Sequence, residues 1–306
     1  MKILLTGSAG MVGKNISDLK PKNVEILEPT IKELDLLDFG KVNDYVLKTK
    51  PEIIIHAAGI VGGIQANIKH PLKFLRENTI MGHNIIWAAA LNSVRFFINL
   101  GSSCMYPKNI NEPLKENMIL TGELEPTNEG YAIAKIFTQR LCSYINRENH
   151  SSNFKTLVPC NLYGKHDKFD DEWGHMIPSV IRKLLQAKIN NDESVKIWGD
   201  GTARREYMYA SDFAGCIWYI IDHLDDIPEL INVGLGYDYS INEYYEIIAK
   251  VVGFNGQFTH DLSKPSGMKR KLVDIDKLSK IGWEPSYTIE QGLKETFKFY
   301  IENAVI

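Results

Sequence analysis

Short apolar runs recur along the first part of the chain, and segments with the apolar spacing of helices separate them. The runs cover residues 2–6, 24–27, 52–58, 96–100 and 155–159. Short apolar runs that lack polar alternation are typical of parallel strands buried on both faces. Residues 78–90 are one of the intervening segments with helical spacing. This order predicts an α/β fold with a doubly wound parallel Rossmann sheet.

The pattern changes after about residue 161, where turns, scattered aromatic residues and polar loops become frequent. We expect residues 1–161 and 195–231 to form an NAD(P)-binding Rossmann domain. Residues 162–194 and 232–306 are expected to form a smaller C-terminal lobe that binds the substrate. Within this division, residues 186–194 are predicted to be a linker, and residues 212–223 to cross back to the main domain.

Composition and charge exclude several classes of function. The 306 residues are 44% hydrophobic and 24% charged, with a net charge of -3, which is ordinary for a globular protein and unlike a nucleic-acid-binding one. The four cysteines, Cys104, Cys142, Cys160 and Cys216, include no C-x-x-C pair, and no secretory leader is recognised. No apolar run approaches the roughly 20 residues of a membrane span. We therefore expect a cytoplasmic protein without disulfides, bound metal, nucleic acid or membrane.

A glycine-rich loop follows the first apolar run directly. Gly7, Gly10 and Gly13 have the spacing G-x-x-G-x-x-G. Glycines between a buried strand and a helix let the backbone approach a pyrophosphate, which the unpaired N–H groups at the helix N-terminus can bind. The loop predicts a dinucleotide site, with a tight structural turn as the alternative.

The end of the second strand is where Rossmann folds recognise the adenosine ribose. Glu28 can accept a hydrogen bond from a ribose 2'-hydroxyl, whereas Lys32 can pair with a 2'-phosphate, so the residues leave NAD and NADP open. Asp38 can accept a hydrogen bond from the adenine amino group or, equally, cap the helix that follows it.

Tyr131 and Lys135 lie four residues apart in a segment with helical spacing. They therefore share a helix face. A neighbouring ammonium favours the phenolate, which predicts that Lys135 lowers the pKa of Tyr131 and makes it a general acid or base. The alternative is a chance spacing.

Ser102, Ser103 and Cys104 follow a predicted strand and so lie where parallel sheets bind ligands. A polar loop with a buried thiol would have the same sequence.

The glycine loop, Ser102 and Tyr-x-x-x-Lys together resemble the extended short-chain dehydrogenase/reductase family. A narrower resemblance covers essentially the whole chain and is to the GDP-L-fucose synthases. It is carried by residues 58–64 (AGIVGGI), 101–107 (GSSCMYP), 124–129 (LEPTNE), 161–164 (NLYG), 198–202 (WGDGT), 205–206 (RE) and 270–274 (RKLVD).

The resemblance implies an oxidoreductase that acts on a GDP-bound 4-keto-6-deoxy-sugar, inverts C3 and C5, and reduces C4 with NADPH. A C4 ketone acidifies the hydrogens at C3 and C5, so a base and an acid on opposite faces can invert those centres. Cys104 corresponds to the base and His175 to the acid. Tyr131 protonates the C4 oxygen, Ser102 hydrogen-bonds it, and Lys135 holds the cofactor ribose.

The resemblance also implies two sets of binding residues. The cofactor set is Gly7, Gly10, Met11, Val12, Gly13, Leu37, Asp38, Ala57, Ala58, Tyr131, Lys135, Asn161, Leu162 and His175. The GDP-sugar set is Ser103, Asn161, Lys183, Trp198, Arg205 and Lys271. Fixed cations suit a diphosphate, although Lys183 and Lys271 can equally be surface charges. Arg204 is the weaker candidate beside Arg205, because it can form an ion pair within the chain.

Two departures from the family pattern keep alternatives open. The arginines that suit a 2'-phosphate are missing after the second strand, so NADH remains a candidate donor. The loop 165–175 differs in length and content, which leaves the sugar open between hexose and heptose. The alternative functions are a C4-reductase without epimerase activity, an epimerase or dehydratase with permanently bound NAD, and a non-catalytic nucleotide sensor.

By resemblance we expect a homodimer that pairs through residues 78–91 and 131–146.

Overall fold

The computed structural model describes residues 1–170, 173–263 and 268–303. The strands are β1 (Lys2–Thr6), β2 (Glu25–Leu27), β3 (Ile53–His56), β4 (Phe96–Leu100), β5 (Asn153–Pro159), β6 (Asn161–Tyr163), β7 (Ser194–Trp198), β8 (Arg204–Arg205), β9 (Tyr207–Tyr209), β10 (Leu230–Val233), β11 (Tyr239–Ser240), β12 (Gln257–Asp261) and β13 (Arg270–Lys271). The helices are α1 (Met11–Asp18), α2 (Phe39–Thr49), α3 (Ile64–Lys69), α4 (Pro71–Leu91), α5 (Glu129–Glu148), α6 (Met176–Asn190), α7 (Ala210–Asp222), α8 (Ile241–Val252), α9 (Asp276–Lys280) and α10 (Ile289–Asn303).

Six strands form the central sheet in the order β10-β5-β4-β3-β1-β2. Every neighbouring pair is parallel. The strand order reverses between β1 and β3, so the carboxyl ends of these two strands flank a topological switch point. Open α/β sheets bind their ligands at such a point. The five strands expected from the apolar runs are all present, and β10 is the sixth.

Helices cover both faces of this sheet, which confirms the doubly wound prediction. Ile3 and Leu5 of β1 point into the core cluster that includes α7, whereas Leu4 points into the cluster that includes α2, α4 and α5. All three side chains are completely buried, and burying each one contributes about 2 kcal/mol to folding. A strand that is buried on both faces requires the uninterrupted apolar sequence that β1 has.

A smaller lobe has its own apolar core, formed by α6, α8 and α10 with β7 and β9. Two parts of the predicted division were wrong. Residues 194–198 pair with β12 instead of joining the central sheet, and Val195 and Ile197 pack in the core of the smaller lobe. Residues 186–190 belong to α6 instead of a linker, because Leu184 and Ala187 continue the buried face of that helix.

All four cysteines are free thiols. Among the described residues, none of the helices combines the length and the apolar character needed to cross a membrane.

Candidate active site

A cleft of about 1420 Å³ opens between the carboxyl edge of the central sheet and the smaller lobe. We call it the central cleft. Most of the residues that the sequence assigned to cofactor, substrate or catalysis line it, namely Met11, Val12, Ala57, Ala58, Ser102, Ser103, Cys104, Tyr131, Lys135, Asn161, Leu162, His175, Lys183, Trp198, Arg205 and Lys271. The glycines of the first loop, Leu37 and Asp38 are not among the lining residues.

The glycine loop between β1 and α1 lies at the switch point. Gly7 has a φ of 75°, and a Cβ atom there would lie 2.5 Å from the backbone nitrogen of Ala58. A Cβ on Gly13 would lie 2.2 Å from the carbonyl oxygen of Gly7. Both positions therefore exclude any side chain. Helix α1 begins after Gly10 without a side-chain cap, so its first N–H groups suit a pyrophosphate, and the loop fits a dinucleotide.

A carboxylate follows β2, where the sequence predicts recognition of the adenosine ribose. Glu28 follows β2 and accepts a hydrogen bond from the Ser17 hydroxyl, while the side chain of Lys32 is exposed. Asp38 caps α2, because its Oδ1 accepts a hydrogen bond from the Lys41 backbone nitrogen at 3.1 Å. The capping role predicted for Asp38 is therefore present, and its contact with adenine stays a prediction.

Helix α5 presents Tyr131 and Lys135 to the cleft one turn apart, beside Ser102 at the end of β4. The Lys135 Nζ donates a hydrogen bond to the Leu100 carbonyl at 2.7 Å and lies 5.7 Å from the centroid of the Tyr131 ring. The Tyr131 ring meets Phe74 edge-on at 6.2 Å. The three predicted catalytic groups of the reduction are thus together.

The electrostatics of this pair differ from the expectation. Burial raises the pKa of Tyr131 well above its ordinary value, the charge of Cys104 acts in the same direction, and a hydrogen bond with Ser102 lowers it. Burial also lowers the pKa of Lys135 to about 8. Because burial has the largest effect, the pKa of Tyr131 lies above its ordinary value. The effect of Lys135 on this pKa stays a prediction.

Cys104 lies in a short turn, Ser103–Met105, directly after Ser102. Its sulfur accepts hydrogen bonds from the Asn128 Nδ2 and the Lys271 Nζ, both at 3.2 Å. Lys271 is only 8% exposed, which contradicts its alternative interpretation as a surface charge. Its ammonium contacts the thiol, and its contact with a diphosphate stays a prediction.

His175 precedes the first residue of α6, opposite the sheet edge. Its Nδ1 lies 3.9 Å from the Asp167 Oδ1, within ion-pair distance. Its side chain remains 35% exposed and lines the same cleft as Cys104. Two side chains of the types that exchange protons therefore line one cavity. Residues 171–172 of the preceding loop lie outside the described residues.

The remaining predicted substrate residues surround the far end of the cleft. Asn161 donates a hydrogen bond to the Glu206 carbonyl at 2.9 Å, and Lys183 donates one to the Lys196 carbonyl. Trp198 is 43% exposed. Arg204 forms an ion pair at 2.6 Å, but with Asp238 and not within the run Arg204–Glu206. Arg205 lines the cleft.

Two contributing residues were not predicted. Asn128, which contacts the thiol, begins the stretch that contains Tyr131 but resembled an ordinary turn residue. Glu206 is completely buried, and its carboxylate accepts hydrogen bonds from the backbone nitrogens of Leu235, Gly236 and Val273. Burial raises the pKa of Glu206 to about 7, against the effect of these donors. It fixes the backbone next to Lys271.

Known proteins resemble this chain over nearly its whole length. Residues 3–234 match the model of the family described as NAD dependent epimerase/dehydratase. The chain is 55% identical over 302 residues to the GDP-L-colitose synthase of Yersinia pseudotuberculosis, covering 98% of each protein. It is 45% identical over 301 residues to a GDP-L-fucose synthase of Azorhizobium caulinodans, covering 98% of this chain and 96% of that one.

A solved structure shares the fold over almost the whole chain. It is described as MlghC, a GDP-mannoheptose C4 reductase from Campylobacter jejuni with NADP bound. Its TM-score is 0.89 at 29% sequence identity, and the match covers 98% of each chain. The similarity therefore includes the smaller lobe as well as the central sheet.

Proposed function

The chain belongs to the NAD dependent epimerase/dehydratase family, and we propose that it reduces C4 of a GDP-bound 4-keto-6-deoxy-sugar after inverting a neighbouring carbon. The observation that carries the proposal is one cleft that holds Ser102, Tyr131 and Lys135 together with Cys104 and His175. The first three residues suit carbonyl reduction. The last two suit proton exchange beside the carbonyl.

In the reduction, the bound nicotinamide cofactor supplies a hydride, and the chain supplies the proton. Tyr131 is the proton donor, and its raised pKa keeps the phenol protonated at neutral pH. Ser102 hydrogen-bonds the carbonyl oxygen and so orients it toward Tyr131. Lys135, anchored to the Leu100 carbonyl, holds the cofactor ribose and remains cationic below a pH of about 8.

In the inversion, Cys104 and His175 act on carbons next to the C4 carbonyl. Cys104 removes a proton from one face, and His175 returns one to the other face. An inversion at C5 converts a D-sugar into an L-sugar, which agrees with the products in the names of the synthases at 55% and 45% identity.

The identity of the sugar has two candidates. Fucose is 6-deoxy-L-galactose, and colitose is the same sugar without the C3 oxygen. The higher identity to the colitose synthase favours a 3,6-dideoxy substrate, for which C5 is the carbon inverted. The fucose-type substrate requires inversion at both C3 and C5.

NADPH is the donor that we propose, in line with the NADP-bound relative. NADH is the second candidate, because the residue that follows β2 is the acidic Glu28. Glu28 places a carboxylate at the predicted ribose end of the site, and a carboxylate accepts from a 2'-hydroxyl but repels a 2'-phosphate.

The GDP-sugar is proposed to lie against Asn161, Lys183, Trp198 and Arg205, whose side chains line the cleft. The cations balance the diphosphate. Trp198, which is partly exposed, offers an aromatic surface to the guanine base.

We also propose a homodimer in a reducing cytoplasm. Helices α4 and α5 expose an apolar surface, which we call the α4–α5 face, formed by Trp87, Leu91, Ile133, Phe137 and Tyr144, each between 37% and 54% exposed. Exposed apolar side chains on two neighbouring helices favour association about a two-fold axis. Free thiols at all four cysteines suit the reducing compartment.

The test is to mix purified protein with a GDP-4-keto-6-deoxy-hexose, with its 3-deoxy form or with a GDP-keto-heptose, each with NADPH and with NADH. Loss of the reduced-nicotinamide absorbance with one hexose is the expected result. Loss with the heptose alone indicates a heptose reductase. Turnover without any added cofactor indicates an epimerase with permanently bound NAD, and no turnover with any combination contradicts the proposal.

A further inference from the structure

Two hydrogen-bond donors converge on the sulfur of Cys104. One is the amide of Asn128, and the other is the ammonium of Lys271, each 3.2 Å from the sulfur. An ammonium has three donors and no acceptor. A sulfur that accepts from an amide and an ammonium at once is in the environment that stabilises a thiolate.

The backbone on both sides of Lys271 is fixed, so the ammonium is directed by the fold. Strand β13 is parallel to β8, with Lys271 opposite Arg205. The backbone nitrogen of Glu206 donates to the Lys271 carbonyl at 3.3 Å. The buried carboxylate of Glu206 accepts from the Val273 nitrogen at 2.9 Å. A lysine held in this way and 8% exposed has little freedom to leave the sulfur.

We propose that Lys271 is a positioning residue that keeps Cys104 as the thiolate base of the inversion, instead of a ligand of the substrate diphosphate. This inference rests on the proposed function for its purpose, but its observation is the contact itself. It gives Lys271 a role that differs from the one implied by the family resemblance.

The proton transfers balance without a further reactant. The thiolate sulfur forms a bond to the hydrogen of the carbon next to C4, and the electron pair of the broken C–H bond moves into the enolate. His175 then gives its proton to the opposite face of that carbon, which restores the ketone. Lys271 keeps its own proton throughout, and exchange with water returns Cys104 and His175 to their starting states.

Other groups face the sulfur from the neighbouring elements. Arg205 on β8 and Tyr131 on α5 are both close enough to interact electrostatically with Cys104. Arg205 acts in the same direction as Lys271, and Tyr131 stays neutral at neutral pH because burial raises its pKa. Ser102 and Asn128 are uncharged. Lys271 differs from Arg205 in that it donates a hydrogen bond to the sulfur itself.

The test is the rate at which iodoacetamide alkylates Cys104, measured against pH in the full-length protein without sugar or cofactor. Only the thiolate reacts. Cys142, Cys160 and Cys216 are at most 5% exposed, so the reaction is selective, and Cys104→Ser identifies the signal. We expect Lys271→Met to slow alkylation at pH 7 about tenfold.

Two matched variants show whether charge is the cause. Lys271→Arg keeps the charge and is expected to restore most of the rate. Lys269→Met makes the same change at an exposed lysine two residues away and is expected to leave the rate unchanged. If Lys271→Met does not fold, Lys271→Gln provides the uncharged comparison. An unchanged alkylation profile in the folded uncharged variant overturns the proposal.

Calorimetric titration with GDP separates this role from diphosphate binding. We expect Lys271→Met to bind GDP as tightly as the wild type does. A large loss of GDP affinity together with normal alkylation assigns Lys271 to the diphosphate and overturns the proposal. Alkylation requires no keto-sugar, so the role of Lys271 can be tested even if the proposed function is wrong. Failure of this inference and failure of the proposed function can therefore be told apart.

Discussion

Replacing Tyr131 with Phe removes one oxygen from the central cleft and leaves the ring in place. The ring keeps its edge-on contact with Phe74 at 6.2 Å between centroids. The hydrogen bond with Ser102 is lost, which changes stability by about 1 kcal/mol. The proton donor is also lost, and general acid catalysis is worth about 10²- to 10⁴-fold in rate. We therefore expect a folded protein whose turnover falls by that factor, about 3–5 kcal/mol in activation free energy.

The assay follows reduced-nicotinamide consumption with a saturating GDP-keto-sugar, beside GDP titration and circular dichroism. Tyr45→Phe is the matched control, because Tyr45 is another half-buried helical tyrosine whose pKa is raised by burial but lies outside the cleft. The expected result is unchanged GDP affinity in both variants and lost turnover in Tyr131→Phe alone. Turnover within a few-fold of the wild type in Tyr131→Phe would refute the assignment of the proton donor.

Three further predictions follow from the same geometry. Cys104→Ser should lower deuterium incorporation next to C4 about 10²-fold while it spares reduction of a ketone that is already inverted; equal losses in both steps would point to a structural role. Burial lowers the pKa of His56 to about 3. Below about pH 6.5, His56 is therefore protonated in the unfolded chain but stays neutral in the folded one. The free energy of unfolding should then fall by about 2 kcal/mol between pH 6.5 and 5 in urea titrations, and a fall of the same size in His56→Gln would exclude His56 as the cause. Trp87→Glu on the α4–α5 face should yield monomers in sedimentation experiments, and a monomeric wild type would remove the proposed interface.

The sequence was most informative where a local pattern determines the structure. The strands β1, β3 and β4 are short apolar runs, and their burial on both faces demands that pattern whatever the partner strand is. Gly13 is required by a clash with the Gly7 carbonyl within one strand–turn–helix unit, and Gly7 by its positive φ as well as by the approach of Ala58 after β3. Tyr131 and Lys135 are one helical turn apart, so their common direction follows from helix geometry.

Contacts between distant segments could not be predicted in this way. Lys271 meets Cys104 across 167 residues of sequence, through the two-residue strands β8 and β13, which are too short to show any periodicity. The pKa of Tyr131 depends on how much solvent the whole fold excludes, which the spacing to Lys135 does not reveal. Residues 194–198 alternate between buried and exposed positions, a pattern that suits a strand in either lobe.

The most direct measurement of the central claim is the NMR spectrum of the GDP-sugar formed in deuterated water with an unlabelled reduced cofactor. We expect an L-configured product with solvent deuterium at C5, also at C3 where that carbon bears a hydroxyl, and with protium from the cofactor at C4. A product with protium retained at C5 and the D-configuration of its precursor would contradict the joint action of Cys104, His175 and Tyr131 on one bound ketone.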